Sequence, residues 1–320
     1  MKRYLILLIL TVILLSACQS KPTGWRQLNL SVSPPAGGGG GAIAYNTYSN
    51  FALYLGGFLE ETWLWENGSW RQDHPANQPP PRAKFTMVYD ETNNNIVVFG
   101  GVYGETLYND TWVWDAGNWT KLETAHTPPA RCCSAMAYDQ SLGKILLYGG
   151  WDSRTNTFFS DLWLWDGTDW AETKCCNMPL MSGHKMVSYP PEIFSTFTAG
   201  LGTQIWDGYN WHALDISSPP DRPDSALVYD SHRDWVVLFG GKRDGILLND
   251  TWVYDGEYWN ELRFPIAPPV RDAHVMFYDK RRDTIILFGG IGETGVLDDT
   301  WELNLAEDIS SFIVTPTAQP

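Results

Sequence analysis

Four arginines stand at equivalent places along the chain: Arg82, Arg131, Arg222 and Arg271, each seven residues before a Tyr. A guanidinium presents a planar fork of donors that grips a carboxylate through two parallel bonds. A ring of such forks around a channel mouth suits an acidic sugar or the carboxylates of a peptide. The same forks also suit Asp110, Asp161, Asp250 and Asp299, each two residues before a Trp or its equivalent in the same copies. Recurrence in register favours this internal pairing. Less repetitive residues are better candidates for ligand contact. These are His184 and His274, whose side-chain type titrates near neutral pH, and the aromatic Tyr103 and Trp151.

The cysteines form two doublets, Cys132-Cys133 and Cys175-Cys176, apart from Cys18 near the N-terminus. In an oxidising compartment, two disulfides are the leading expectation. Cross-pairing between doublets is favoured over strained bridges between adjacent residues, and the partners stay unassigned. The alternative is a four-thiolate zinc site, which adjacent cysteines supply poorly. No metal or cofactor is otherwise called for. Gly37 to Gly41 lacks the Gly-Lys-Ser/Thr ending of a phosphate-binding loop. No HExxH or GxSxG occurs, and the six histidines are scattered.

These residues are carried by a repeat. A Pro-Pro loop, often with an Arg, leads to an apolar run ending in Tyr-Asp. A β-branched or aliphatic run ending in Gly-Gly follows, then a loop, Thr-Trp-x-aromatic, a Gly turn and a further Trp. The Gly pairs are 56–57, 100–101, 149–150, 240–241 and 289–290, with Ala199-Gly200 in a degraded fourth copy, and the period is about 49 residues. Each copy reads as four strands, in the second copy Lys84–Tyr89, Ile96–Phe99, Thr111–Trp114 and Trp119–Leu122. The sixth copy stops after its third strand. The stretch Gly24-Trp25-Arg26-Gln27-Leu28 looks like the missing fourth, as in Asn118-Trp119-Thr120-Lys121-Leu122. Residues 24–30 are therefore expected to complete the last sheet beside 300–305, closing a ring and removing an exposed edge.

A period near 50, four strands per unit, Gly-Gly and spaced Trp resemble the kelch repeat and its galactose oxidase-like β-propeller superfamily. The resemblance covers nearly the whole chain after the leader. It implies an all-β, six-bladed kelch-type propeller with four antiparallel strands per blade. The copper radical site of galactose oxidase-like propellers has no matching residues here. Six-bladed kelch sialic-acid mutarotases are a nearer analogue in shape alone. In such a propeller the B–C and D–A loops share one face. Those B–C loops run to ten or twelve residues in copies two, three, five and six, and to five in copy one. The short fourth copy is expected to leave a notch there. The paired tryptophans read as packing between sheets.

The first residues are an address. Lys2 and Arg3 precede an apolar run to Leu15, too short to span a bilayer as a stable helix and suited to export. Leu15-Ser16-Ala17-Cys18 resembles the bacterial lipobox, which implies cleavage before Cys18 and a lipid on its sulphur. The expected division is a lipoprotein signal peptide at 1–17, a lipidated tether at 18–23, the propeller at 24–308 and a flexible tail at 309–320. Loss of the leader leaves 20 basic against 37 acidic residues, a net charge of −17, which disfavours nucleic acid. The expected function is a non-enzymatic binding module anchored in a bacterial cell envelope, at the outer membrane or the outer leaflet of the plasma membrane. It would hold an envelope protein, peptide or glycan on the B–C and D–A loop face. The alternative is a carbohydrate-active enzyme, a mutarotase or lyase, working at the channel mouth.

Overall fold

The computed structural model describes residues 22–35, 40–173, 180–196 and 202–314. Six four-stranded antiparallel sheets, or blades, make up its body. Their strands are named A to D from the centre outwards. Blade one comprises Ala42–Asn46, Phe51–Leu55, Thr62–Glu66 and Ser69–Asp73. Blade two comprises Thr86–Asp90, Asn95–Phe99, Thr111–Asp115 and Asn118–Leu122. Blade three comprises Ala135–Asp139, Lys144–Tyr148, Leu162–Trp165 and Trp170–Thr173. Blade four, despite its degraded sequence, keeps Lys185–Tyr189, Glu192–Thr196, Thr203–Trp206 and Trp211–Ala213. Blade five comprises Ala226–Asp230, Trp235–Phe239, Thr251–Tyr254 and Trp259–Leu262. Blade six takes Val275–Asp279, Thr284–Phe288 and Thr300–Asn304 from the end of the chain and Gly24–Leu28 from its start.

That last pairing closes the ring in the register expected from sequence, with Gly24 opposite Asn304 and Leu28 opposite Thr300. The A strands contact one another in succession, through to blade six against blade one. Blades are covered on both faces, so the B strand is a largely apolar run in every blade but the fourth, where it reads Glu-Ile-Phe-Ser-Thr. In blade two, Ile96, Val97, Val98 and Phe99 are all fully buried. The core divides into six apolar clusters, one at each interface between neighbouring blades.

Polar stitches fix these interfaces. A Trp on strand D donates its indole N–H to the Thr that opens strand C of the preceding blade. Trp70 reaches Thr300 (3.1 Å), Trp119 reaches Thr62 (3.0 Å) and Trp170 reaches Thr111 (2.9 Å). Trp259 reaches Thr203 (2.8 Å) and Trp25 reaches Thr251 (3.0 Å). At the remaining interface, between blades three and four, the strand C position is Leu162, which has no hydroxyl. The Gly-Gly pairs permit close approach. A Cβ on Gly100 would stand 2.6 Å from the Arg131 carbonyl oxygen of the next blade, and one on Gly101 2.8 Å from Phe85 Cβ. Both also have positive φ, which favours glycine.

Two features depart from expectation. Four B–C loops contain a small extra hairpin: 102–107, 151–158, 242–247 and 291–296. The tail expected from residue 309 is docked over 309–314. Ile309 enters the cluster between blades five and six, and the Phe312 ring lies 5.1 Å from that of Phe264. Backbone bonds from Arg263 to Phe312 and from Val314 to Glu261, both 2.9 Å, lay the tail antiparallel along the outer edge of strand D of blade five. Apolar side chains in a segment with few sequence signals are what hold it there.

Candidate functional site

The A strands surround the axis of the ring and leave a cavity at each end. The cavity on the B–C and D–A loop side measures about 170 Å3. The one among the A–B turns measures about 420 Å3. At the narrow end each blade contributes one residue of positive φ just before strand A: Gly40, Lys84, Cys133, Gly183, Asp224 and Ala273. Backbone N–H groups link them in sequence, Lys84 to Gly40, Cys133 to Lys84 and Gly183 to Cys133 at 2.9 Å, then Asp224 to Gly183 at 3.4 Å and Ala273 to Asp224 at 2.8 Å. Four of the six carry a side chain in a backbone region that disfavours one. The girdle of inter-blade bonds holds them there.

The arginines do not form the expected ring at this mouth. Arg82 donates to both oxygens of Asp110 (2.6 and 2.9 Å) and to the carbonyls of Gly100 and Pro80. Arg131 does the same with Asp161, at 2.6 Å twice, and Arg271 with Asp299, at 2.7 and 2.8 Å. Arg222 pairs with Asp250. The indoles of Trp112, Trp163, Trp252 and Trp301 complete each clasp by donating to the same acids. All four arginines are buried and none lines the cavity. Buried and committed to a carboxylate and neighbouring carbonyls, these forks are not presented to a ligand in the cavity. The guanidinium lowers the pKa of Asp110 and of Asp299 against the upward pull of burial, which is the largest influence on each.

His184 and His274 do border the narrow cavity, but as wall. His184 packs edge-on against Tyr148 at 5.2 Å, and His274 against Phe239 at 5.5 Å. Burial pushes His184 down to about 3, helped by the Lys185 charge. Burial, then Arg271 and Lys185, hold His274 well below its ordinary value. Both imidazoles are therefore neutral at physiological pH, which suits neither to proton transfer there. Cys132 and Cys133 hold their sulphurs 3.2 Å apart, with Cys133 donating. That bond pulls the Cys132 thiol down and pushes the Cys133 thiol up, burial adding to the latter. Cys18, Cys175 and Cys176 lie outside the described residues, as does residue 201 of the short loop 201–203 from which the notch was expected. Among the described residues no three His, Cys, Asp or Glu side chains gather as a metal site.

Tyr103 and Trp151 sit on the extra hairpins. Tyr103 is exposed and lies 6.2 Å from Phe58 of blade one's loop. Trp151 stacks on the exposed Phe158 at 6.0 Å. Ile246, Ile291 and Val296 are exposed on the hairpins of blades five and six. The narrow mouth is thus crowned by apolar side chains. The wide end has a mostly polar rim of Thr47, Glu91, Gln140, Pro190, Ser231 and Lys280, and its tyrosines are engaged with the turns: Tyr89 donates to Asn94 (2.8 Å), Tyr229 to Asp234 and Tyr278 to Asp283 (both 2.7 Å).

No family model matches the sequence, and no curated protein matches it. Among solved structures the structure of YjhT is similar, with a TM-score of 0.67 over 89% of this chain and 98% of that one, at 15% identity. The chain is a six-bladed β-propeller. At that identity the likeness establishes the fold alone.

The propeller brings together two residues that sequence reasoning passed over. Lys84 belongs to the girdle, and Lys185 opens strand A of blade four; both line the narrow cavity. The position of Lys185 is Ala42, Thr86, Ala135, Ala226 or Val275 in the other blades. The available signal was that departure from the repeat, at a position where five blades place small or β-branched residues. Neighbouring Cys133, then Asp224, Cys132 and Asp272, raise the Lys84 ammonium against the opposing effect of burial.

Proposed function

We propose that this propeller is a non-catalytic binding module, of kelch type, whose hairpin-crowned face holds an envelope protein, peptide or glycan. The observation that carries this reading is the crown itself. Four hairpins raise exposed apolar side chains around one mouth, while the two histidines that border it are buried and neutral and the four repeated arginines are locked in ion pairs away from it. Exposed apolar groups clustered on rigid loops favour recognition over chemistry. The lipobox-like Leu15-Ser16-Ala17-Cys18 supports a lipid tether at Cys18, holding the module at a membrane surface of the cell envelope.

The test is a screen of envelope proteins, peptides and glycans against the purified protein. A captured partner should be lost on Tyr103→Ala/Trp151→Ala/Phe158→Ala and kept on Tyr209→Ala/Tyr258→Ala, which alters exposed residues at the opposite face. Equal loss from both variants would remove the assignment of the face. Turnover of a bound sugar would replace the module with a carbohydrate-active enzyme. Incorporation of labelled palmitate should vanish in Cys18→Ser; persistence would remove the tether.

A further inference from the structure

We propose that the narrow mouth at the centre of the crown is a carboxylate receptor, in which Lys84 and Lys185 hold the acidic end of a sugar or peptide. The inference rests on the hairpin face being the binding face, and names the chemistry its centre would select.

Three observations converge. First, both lysines line the same cavity of about 170 Å3, and the Lys185 charge acts on both His184 and His274, which places it within the channel wall's reach. Second, among the described residues neither ammonium has a hydrogen bond or an ion pair. Acids are abundant, at 37 against 22 basic residues, and arginines elsewhere find them in blade after blade. Asp224 shares the mouth and, with Asp272, acts on Lys84 from a distance, but among the described residues neither acid forms an ion pair with either lysine. Third, Lys185 breaks the pattern of its position, and Lys84 is the one cation in a girdle whose residue type varies from blade to blade. The girdle elsewhere carries Gly, Cys, Asp or Ala, and the first residue of strand A is elsewhere Ala, Thr or Val. Packing between blades accounts for the small or β-branched residues that open strand A elsewhere; it does not account for a lysine there, bordering the same cavity as a second one.

A concave site with low-dielectric walls focuses the field of such charges. The cavity is below the range of about 300–1,000 Å3 that encloses a whole small ligand. It suits a terminal acidic group, with the rest of the ligand lying on the crown. Ser134 and Ser225 of the same wall are of a type that can donate a hydroxyl to the carboxylate.

The experiment titrates the purified protein calorimetrically with D-glucuronate against D-glucose, and with a short acetylated peptide ending in glutamate against the same peptide ending in glutamine amide. At least one acid should bind roughly tenfold or more tightly than its neutral counterpart, and added NaCl should weaken it. The arm that binds identifies the source of the carboxylate. Lys84→Gln and Lys185→Gln should each weaken binding roughly tenfold, the worth of a charge-assisted hydrogen bond. Lys84→Arg and Lys185→Arg should retain it. Unchanged melting temperatures would show that the variants fold. Equal binding of neutral probes, or full binding by the double Gln variant, overturns the receptor. If neither acid binds while partner capture still depends on the hairpins, the receptor fails and the hairpin reading stands. If acid binding depends on the lysines while partner capture ignores the hairpins, the hairpin reading fails and the lysine site stands by itself.

Discussion

Blades two and four have the same four strands and almost none of the same polar devices. Blade two carries the clasp of Arg82, Asp110 and Trp112, and its Trp119 is stitched to Thr62 of blade one. Its Tyr89-Asp90 caps the A–B turn through bonds from Asn93 to Asp90. Blade four has Ser182 in place of the arginine, Leu162 opposite its Trp211 and Tyr189-Pro190 in place of the capping acid. It still pairs all four strands, with an outer strand of only three residues. Strand pairing and apolar cover between blades are therefore the common requirement. Polar devices add to individual blades without defining them.

The most severe way to break that comparison removes a strand, which even blade four has not lost. Deleting residues 24–28 exposes the edge at Thr300–Asn304, uncovers Trp25's place between blades and leaves the fully buried Glu302 without Arg26. The melting temperature should fall by about 10 °C or more. A thermal unfolding curve matching the intact chain would show that closure contributes nothing.

The clasp comes next. Blade four dispenses with it, and Ser182 leaves no buried charge behind. Removing the acid alone from blade three is a different change, since Arg131 is fully buried. Asp161→Ala should cost about 3–5 kcal/mol, the scale for stranding one member of a buried pair. Replacing both members, Arg131→Met with Asp161→Leu, should cost clearly less. Urea titrations of the two variants decide it, and equal losses would contradict the account.

The two histidines sharpen the comparison through pH. His184 in blade four and His274 in blade six occupy the register of Phe85 in blade two. In the unfolded chain each takes up a proton as pH falls below about 6.5, while folded His184 stays neutral until about 3 and folded His274 is likewise held down. The unfolded state then binds more protons, so stability falls as pH drops below 6.5. His184→Phe and His274→Phe should flatten the slope of stability between pH 7 and 5. An unaltered slope would mean that the imidazoles are accessible to protons in the fold.

The ring was legible from sequence because its signals are repeated. Gly-Gly, Trp spacing and Tyr-Asp recur often enough that the degraded fourth copy could be placed by register, and Trp25 betrayed the stray outer strand. The pairing of arginines with acids was legible for the same reason. The girdle was not, because it takes one residue from each blade, about 49 positions apart, and only closure makes Lys84 and Asp224 neighbours of one cavity. The hairpins were hidden because two-residue strands carry no periodicity. Ile309 and Phe312 lacked any repeat against which to be read.

The stitches give the smallest effect and the finest test. Blades three and four meet at Leu162 and have a full apolar cluster between them, so a blade interface forms without the hydroxyl. Where the hydroxyl is present, however, the indole has been buried against it: Trp170 and Thr111 are both buried. Thr111→Val keeps the shape and removes only the acceptor. It should cost about 1–3 kcal/mol, the penalty for an unsatisfied buried donor, whereas Thr111→Ser, which keeps the oxygen, should cost less. Leu162 then marks an interface whose packing developed without that bond, and Thr111 one whose packing depends on it. If Thr111→Val proved neutral by thermal and urea unfolding, the five stitches would be incidental to the ring, and apolar cover alone would account for every interface.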